Sequence, residues 1–179
     1  ETFITCEDNE FVDGVNSTDS VVRYNEGVFV GYRRMNDPSY KITYPFGYGL
    51  SYSNFEYSNL RINKFGETDY EVFVDVENTS DTDGKEVVQL YVSDLSSSVS
   101  RPLRELKGFE KVFIPAREKK TVSFKLGKSS FAFYNASIHD WYVENGLFEI
   151  QIGSSSIDIK LREKLDIELD FYSQYSRER

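Results

Sequence analysis

The chain has 179 residues, 39% of them hydrophobic, including 14 Phe and 13 Tyr, which is enough apolar material for a packed core and excludes wholesale disorder. Thirty acidic residues against 21 basic ones leave a net charge of −9. That balance excludes nucleic acid and anionic membrane surfaces as expected partners, since both need a concentrated positive footprint, and no apolar run approaches the ~20 residues that span a bilayer.

Cys6 and His139 are the only residues of their kinds. An internal disulfide and a cysteine-rich metal site are therefore excluded, and no metal or cofactor is expected. A Ser-His-Asp triad would have to rest on His139 alone, and a structural role is the expectation for it. Carboxylates are the only plentiful catalytic chemistry. One cysteine and an acidic composition are compatible with both a cytoplasmic and a secreted location. Glu1 begins a stretch with neither an initiator Met nor the basic-then-apolar form of a signal peptide, so processing or cutting is expected to have produced this terminus.

In chain order, residues 7–20 are acidic and poor in apolar side chains and read as a surface loop. Residues 28–32 (VFVGY) read as a short apolar strand, and residues 35–41 as a polar turn around Pro38. Residues 45–52 (PFGYGLSY) place two glycines among three aromatics, which suits a backbone lying close against another surface.

From Phe55 the period is that of strands. Tyr70, Val72, Val74 and Val76 alternate with polar or outward residues, as a half-buried strand does. Residues 87–92 (VVQLYV) are apolar nearly throughout and read as a central strand covered on both faces. Further alternations carry Val112 and Ile114, then Val122, Phe124 and Leu126, then Phe148, Ile150 and Ile152, then Ile157, Ile159 and Leu161. Polar turns separate them at 78–84, 114–118, 144–146 and 153–156. Roughly seven short strands at about 8–12-residue spacing predict an antiparallel β-sandwich. Leu165, Ile167 and Leu169 continue the alternation before a polar end.

Several strings carry a family likeness: YNEGVFVGYR at 24–33, YPFGYGLSY at 44–52, GKEVVQLYVSD at 84–94, RPLRELKGFE at 101–110, HDWYV at 139–143 and IGSSS at 152–156. Together they resemble the C-terminal region of glycoside hydrolase family 3, the β-glucosidase type. The resemblance implies a mainly β chain. Residues 1–53 would be the tail of an α/β domain and its linker, 54–162 a fibronectin type III-like sandwich, and 163–179 an extension.

It also implies that the nucleophile and the general acid lie on a barrel domain and an upstream α/β part not contained in these residues. No catalytic residue is therefore assigned to this chain. The expected partners are those catalytic domains, and a homodimer is a further candidate. Arg33 and Arg34 are candidate substrate contacts, because a guanidinium can hold sugar hydroxyls or a carboxylate in a bidentate fashion, with a surface salt bridge as the structural alternative. Pro45, Phe46, Tyr48, Leu50 and Tyr52 are the candidate interdomain packing residues.

Asp140-Trp141 imitates the family's barrel nucleophile, yet its place inside the sandwich region points to a Trp covering the sandwich end with Asp140 in a turn. The loop of residues 93–104 reads as a connector, with a reach toward an active-site rim as its functional alternative. Asp75 and Glu77 share a strand face but nothing marks them as a catalytic pair. Asn16, Asn78 and Asn135 fit the N-glycosylation acceptor pattern. The competing functional reading is a free-standing carbohydrate- or protein-binding sandwich, which exposed aromatics on one face would favour.

Overall fold

Alternation at a period of two gives seven long strands, and these pair as two antiparallel sheets. The computed structural model describes residues 26–170 and 174–176; Cys6, Asn16 and the acidic stretch 7–20 lie outside the described residues. One sheet has the order β1 (Phe55–Lys64), β2 (Tyr70–Asn78), β5 (Lys119–Leu126). The other has the order β4 (Glu105–Ile114), β3 (Gly84–Asp94), β8 (Gly146–Gly153), β9 (Ile159–Ile167). A small third sheet joins β6 (Phe133–Asn135), β7 (Asp140–Tyr142) and β10 (Tyr175–Ser176).

The inward residues of the two large sheets make one core. Val72, Val74 and Val76 face Val88, Leu90, Ile150 and Ile152, all fully buried. Each such side chain contributes about 1.5–3 kcal/mol of burial. Tyr70, Phe131 and Phe148 close one end through successive edge-to-face contacts at 5.6 and 5.4 Å. In β1 a bulge lies between Ser58 and Arg61, with Asn59 at φ 52°. Asn tolerates that left-handed backbone, and its side-chain Nδ2 donates to Asp75 Oδ2 at 2.8 Å.

Four local readings change. Residues 28–32 do not form a strand: Gly31 adopts φ 54°, and the chain enters a one-turn helix, α1 (Tyr32–Met35), that buries Met35 and leaves Val28 and Val30 exposed. Ile157 lies in the bend before β9 and is exposed rather than alternating inward. Trp141 does not cover the sandwich end; it is half exposed on β7, edge-on to Tyr134 at 5.9 Å. Asp140, read as a turn residue, opens β7 and accepts a hydrogen bond from the Trp141 N–H.

Gln89, Tyr91 and Ser93 alternate away from the sandwich core, and all three are buried nonetheless, as a strand covered on both faces requires. The Leu103 carbonyl accepts from the Ser93 hydroxyl, and the cover of Gln89 and Tyr91 comes from the segment preceding the sandwich. Residues 26–53 form a strap over the outer face of the four-stranded sheet, so β3 is covered on both sides as its composition predicts.

Candidate functional site

The strap is held by a few specific contacts. Tyr32 stacks on Phe46 with centroids 4.7 Å apart and meets Tyr91 edge-on at 6.3 Å. Its hydroxyl accepts from the Leu106 N–H at 2.8 Å. The Phe46 carbonyl accepts from the Ser156 N–H, and the Gln89 side chain donates to the Ser154 and Gly47 carbonyls. Arg104, itself buried, donates to the Ser156 carbonyl. Gly47 has φ 82° and a Cβ there would collide with the Gln89 side chain, so the close approach requires glycine.

The five candidate packing residues divide. Phe46 turns onto this chain's own sheet, whereas Tyr48, Leu50 and Tyr52 face outward. Leu50 is 89% exposed and Tyr52 fully exposed. Pro45, Tyr48 and Leu50 wall a groove of about 720 Å³ between the strap and the sheet. Inside it Tyr57 donates to Glu86 at 2.8 Å, and burial pushes both groups up from their ordinary pKa values. Asp158 pairs with Lys160 at 2.8 Å and accepts from the Ser154 hydroxyl. Lys85 and Lys111 complete the wall.

Arg33 and Arg34 come together in a second pocket, of about 640 Å³, with Tyr40, Asp37, Arg101 and Leu103. Arg33 pairs with Glu105 at 3.2 Å, while Arg34 donates to the Tyr40 hydroxyl at 2.8 Å. Burial pushes the Glu105 carboxyl up, but Lys107, Arg101 and Arg33 together hold it below its ordinary value. Arg101 also binds Asp94 and the Phe131 carbonyl, which fastens the loop of residues 93–104 to the sandwich.

The two carboxylates that share a face of β2, Asp75 and Glu77, have structural partners. Asp75 accepts from Asn59 and Thr121, and those hydrogen bonds with Arg61 hold its carboxyl low, the reverse of what a general acid requires. Glu77 pairs with Lys119 at 3.0 Å. Asn78 is fully buried and donates to the Thr82 and Ile114 carbonyls, so the folded chain does not offer it for glycosylation. Asn135 is half-buried at the β6–β7 turn, accepting from the Ser137 N–H, and His139 is exposed in that turn at φ 52°. Among the described residues no three His, Cys, Asp or Glu cluster so as to hold a metal ion, and no helix is long and apolar enough to cross a membrane.

A model of the fibronectin type III-like domain matches residues 86–156. The chain is similar to the thermostable β-glucosidase B of Acetivibrio thermocellus, 50% identical over 152 residues, or 83% of this chain and 20% of that protein. The crystal structure of a GH3 β-glucosidase from Bifidobacterium adolescentis is similar at a TM-score of 0.79 and 39% identity, over 86% of this chain and 24% of that one. The chain belongs to glycoside hydrolase family 3. It spans about a fifth of the length of the curated family 3 relatives it matches. One of these is an exo-α-(1→6)-L-arabinopyranosidase of Bifidobacterium breve, 46% identical over 138 residues, covering 77% of this chain and 18% of that protein.

Sequence reasoning found the strap segment of this family 3 chain but missed what fastens it: Tyr32, Gln89, Tyr91 and Arg104. The signal was present, because Gln89 interrupts an otherwise apolar strand. A polar residue there needs a polar partner above the sheet.

Proposed function

We propose that this chain is the structural part of a β-glucosidase-type enzyme that hydrolyses terminal β-D-glucosyl residues by double displacement, with both catalytic carboxylates outside these residues. Its sandwich packs on the catalytic domains and fixes the geometry of their cleft. The observation that carries this reading is the strap: anchored inward through Phe46, it presents Leu50 and Tyr52 almost wholly to solvent. Apolar side chains so placed mark a surface that another body covers.

The sugar is set elsewhere in the parent, since a relative named for arabinopyranoside cleavage shares this region nearly as closely as one named a β-glucosidase. Arg33 and Arg34 enter this reading as rim groups of the second pocket, reaching substrate only from ion-paired or hydrogen-bonded positions. The chain divides into linker and α/β tail (1–53), sandwich (54–162) and extension (163–179). Because β9 runs unbroken to Ile167, the start of the extension is tied to the sandwich.

The test is Leu50→Asp with Tyr52→Asp in the full-length parent. Faster thermal inactivation of aryl β-glucoside hydrolysis, with unchanged KM, is expected; unchanged inactivation counts against the reading. This chain alone should show no such hydrolysis.

The exposed pair of Tyr134 and Trp141 favours a second reading, a carbohydrate-binding module, because aromatic faces stack on sugar rings. Glycan-array binding by this chain, abolished by Trp141→Ala, would give that reading the lead.

A further inference from the structure

The outer face of β3 and β4 continues beyond the strap, where its chemistry changes. In the register of these two strands Lys85 stands opposite Phe113, and Val87 opposite Lys111. The result is a diagonal grid of two cations and two apolar groups. Phe113 and, four residues back on the same strand face, Phe109 are exposed, at 44% and 66%. Lys120 adds a third cation over the Phe113 ring at 5.8 Å. Tyr48, Leu50 and Ile157 border Lys85 and Lys111 across the groove.

Among the described residues neither Lys85 nor Lys111 has an ion-pair or hydrogen-bond partner. The nearby carboxylates are already committed, Glu86 to the Tyr57 hydroxyl and Asp158 to Lys160 and Ser154. This patch is therefore locally positive and apolar in a chain whose net charge is −9.

We infer that the face carrying Lys85, Lys111, Phe109 and Phe113, continuous with Leu50 and Tyr52, is the docking surface for an acidic, apolar-bearing segment of the parent polypeptide outside these 179 residues. The inference rests on the proposed function and specifies the chemistry of the partner. Two lines fix the occupant. Unpaired ammonium groups on a low-polarity platform gain most from carboxylates, which a neutral sugar does not offer. And about four-fifths of the length of the matched relatives lies outside the region this chain covers, so the parent supplies ample surface. The lysine stems lie over apolar neighbours while their heads meet the partner's acids.

The experiment uses the full-length enzyme that carries this chain. A zero-length carbodiimide cross-linker joins lysines to touching carboxylates, amine acylation measures lysine access, and radical oxidation measures Tyr52. The expected result is an amide from Lys85 or Lys111 to an Asp or Glu outside the 179 residues. With it, both lysines should acylate several-fold more slowly than the exposed Lys125 and Lys164. Protected Tyr52 with Lys85 and Lys111 as reactive as Lys125 overturns this inference and leaves the proposed function standing. Reactive Tyr52 together with reactive lysines overturns both. Cross-links to residues of a second copy of this chain overturn the assigned occupant and make the face a homodimer surface. In a separate arm, Lys85→Glu with Lys111→Glu should shorten the thermal-inactivation half-life of the full-length enzyme several-fold, while Lys125→Glu leaves it unchanged. Equal half-lives overturn the inference.

Discussion

The two faces of the four-stranded sheet are chemically opposite, and the outer one is buried only in part. Val88, Leu90, Ile150 and Ile152 point into a dry core, while on the other face Gln89 and Tyr91 are buried against the strap and Ser93 is buried with its hydroxyl donating to the Leu103 carbonyl. The inner face needs only shape and apolarity, so many side chains of similar volume would serve. The outer face needs specific partners, because each buried polar group left unpaired costs about 1–3 kcal/mol. The inner face therefore makes the sandwich, and the outer face makes its attachment to what precedes it.

The largest expected effect lies on the inner face. Ile150→Ala should destabilise the chain by about 2–5 kcal/mol, read as a lowered denaturant midpoint. On the outer face Phe46→Ala should cost about 2 kcal/mol, since only part of the ring is buried and its main loss is the stack on Tyr32. Gly47→Ala should act on the same contact at about 1–3 kcal/mol, by forcing a side chain into a left-handed backbone against Gln89. If strap and sandwich form one cooperative unit, both strap variants move the single unfolding midpoint. If they are separate, the midpoint holds and the strap becomes protease-sensitive on its own, and the comparison between the faces becomes one between two folding units.

Much of the inner face was legible in the sequence, because a period of two with β-branched residues states both the strand and its buried side. The strap was harder. Residues 28–32 carry strand-like composition, but Gly31 takes a positive φ and no neighbouring strand pairs with them, so the segment turns into α1. Trp141 misled for a related reason. A lone Trp suggests a core plug, yet β7 belongs to a small side sheet with too little cover to bury an indole. The docking patch was invisible from spacing alone. Lys85 and Lys111 are 26 positions apart in the chain, and only the antiparallel register of β3 with β4 sets them as diagonal neighbours.

The smallest effects are electrostatic, and they run in opposite directions in the two sheets. Asp75 in β2 has its carboxyl held below the usual 3.8 by hydrogen bonds from Asn59 and Thr121, with Arg61 adding to them. Its folded pKa is depressed, so it contributes stability above about pH 3.8 that is lost as pH falls through the folded value. Asp75→Asn should flatten that acid limb of a stability-against-pH curve. Glu86 in β3, at the groove, is raised above the usual 4.5, chiefly by burial and against the hydrogen bond from Tyr57. A carboxyl with a raised folded pKa binds its proton more tightly when folded, so stability is highest below 4.5 and declines as pH rises through the folded value. Glu86→Gln keeps an acceptor for Tyr57 and removes the charge. It should raise the denaturation midpoint of the isolated chain at pH 7 and leave it unchanged at pH 4. An equal gain at both pH values would assign the effect to packing rather than to a buried charge, and would remove the electrostatic distinction between the groove and the bulge of β1.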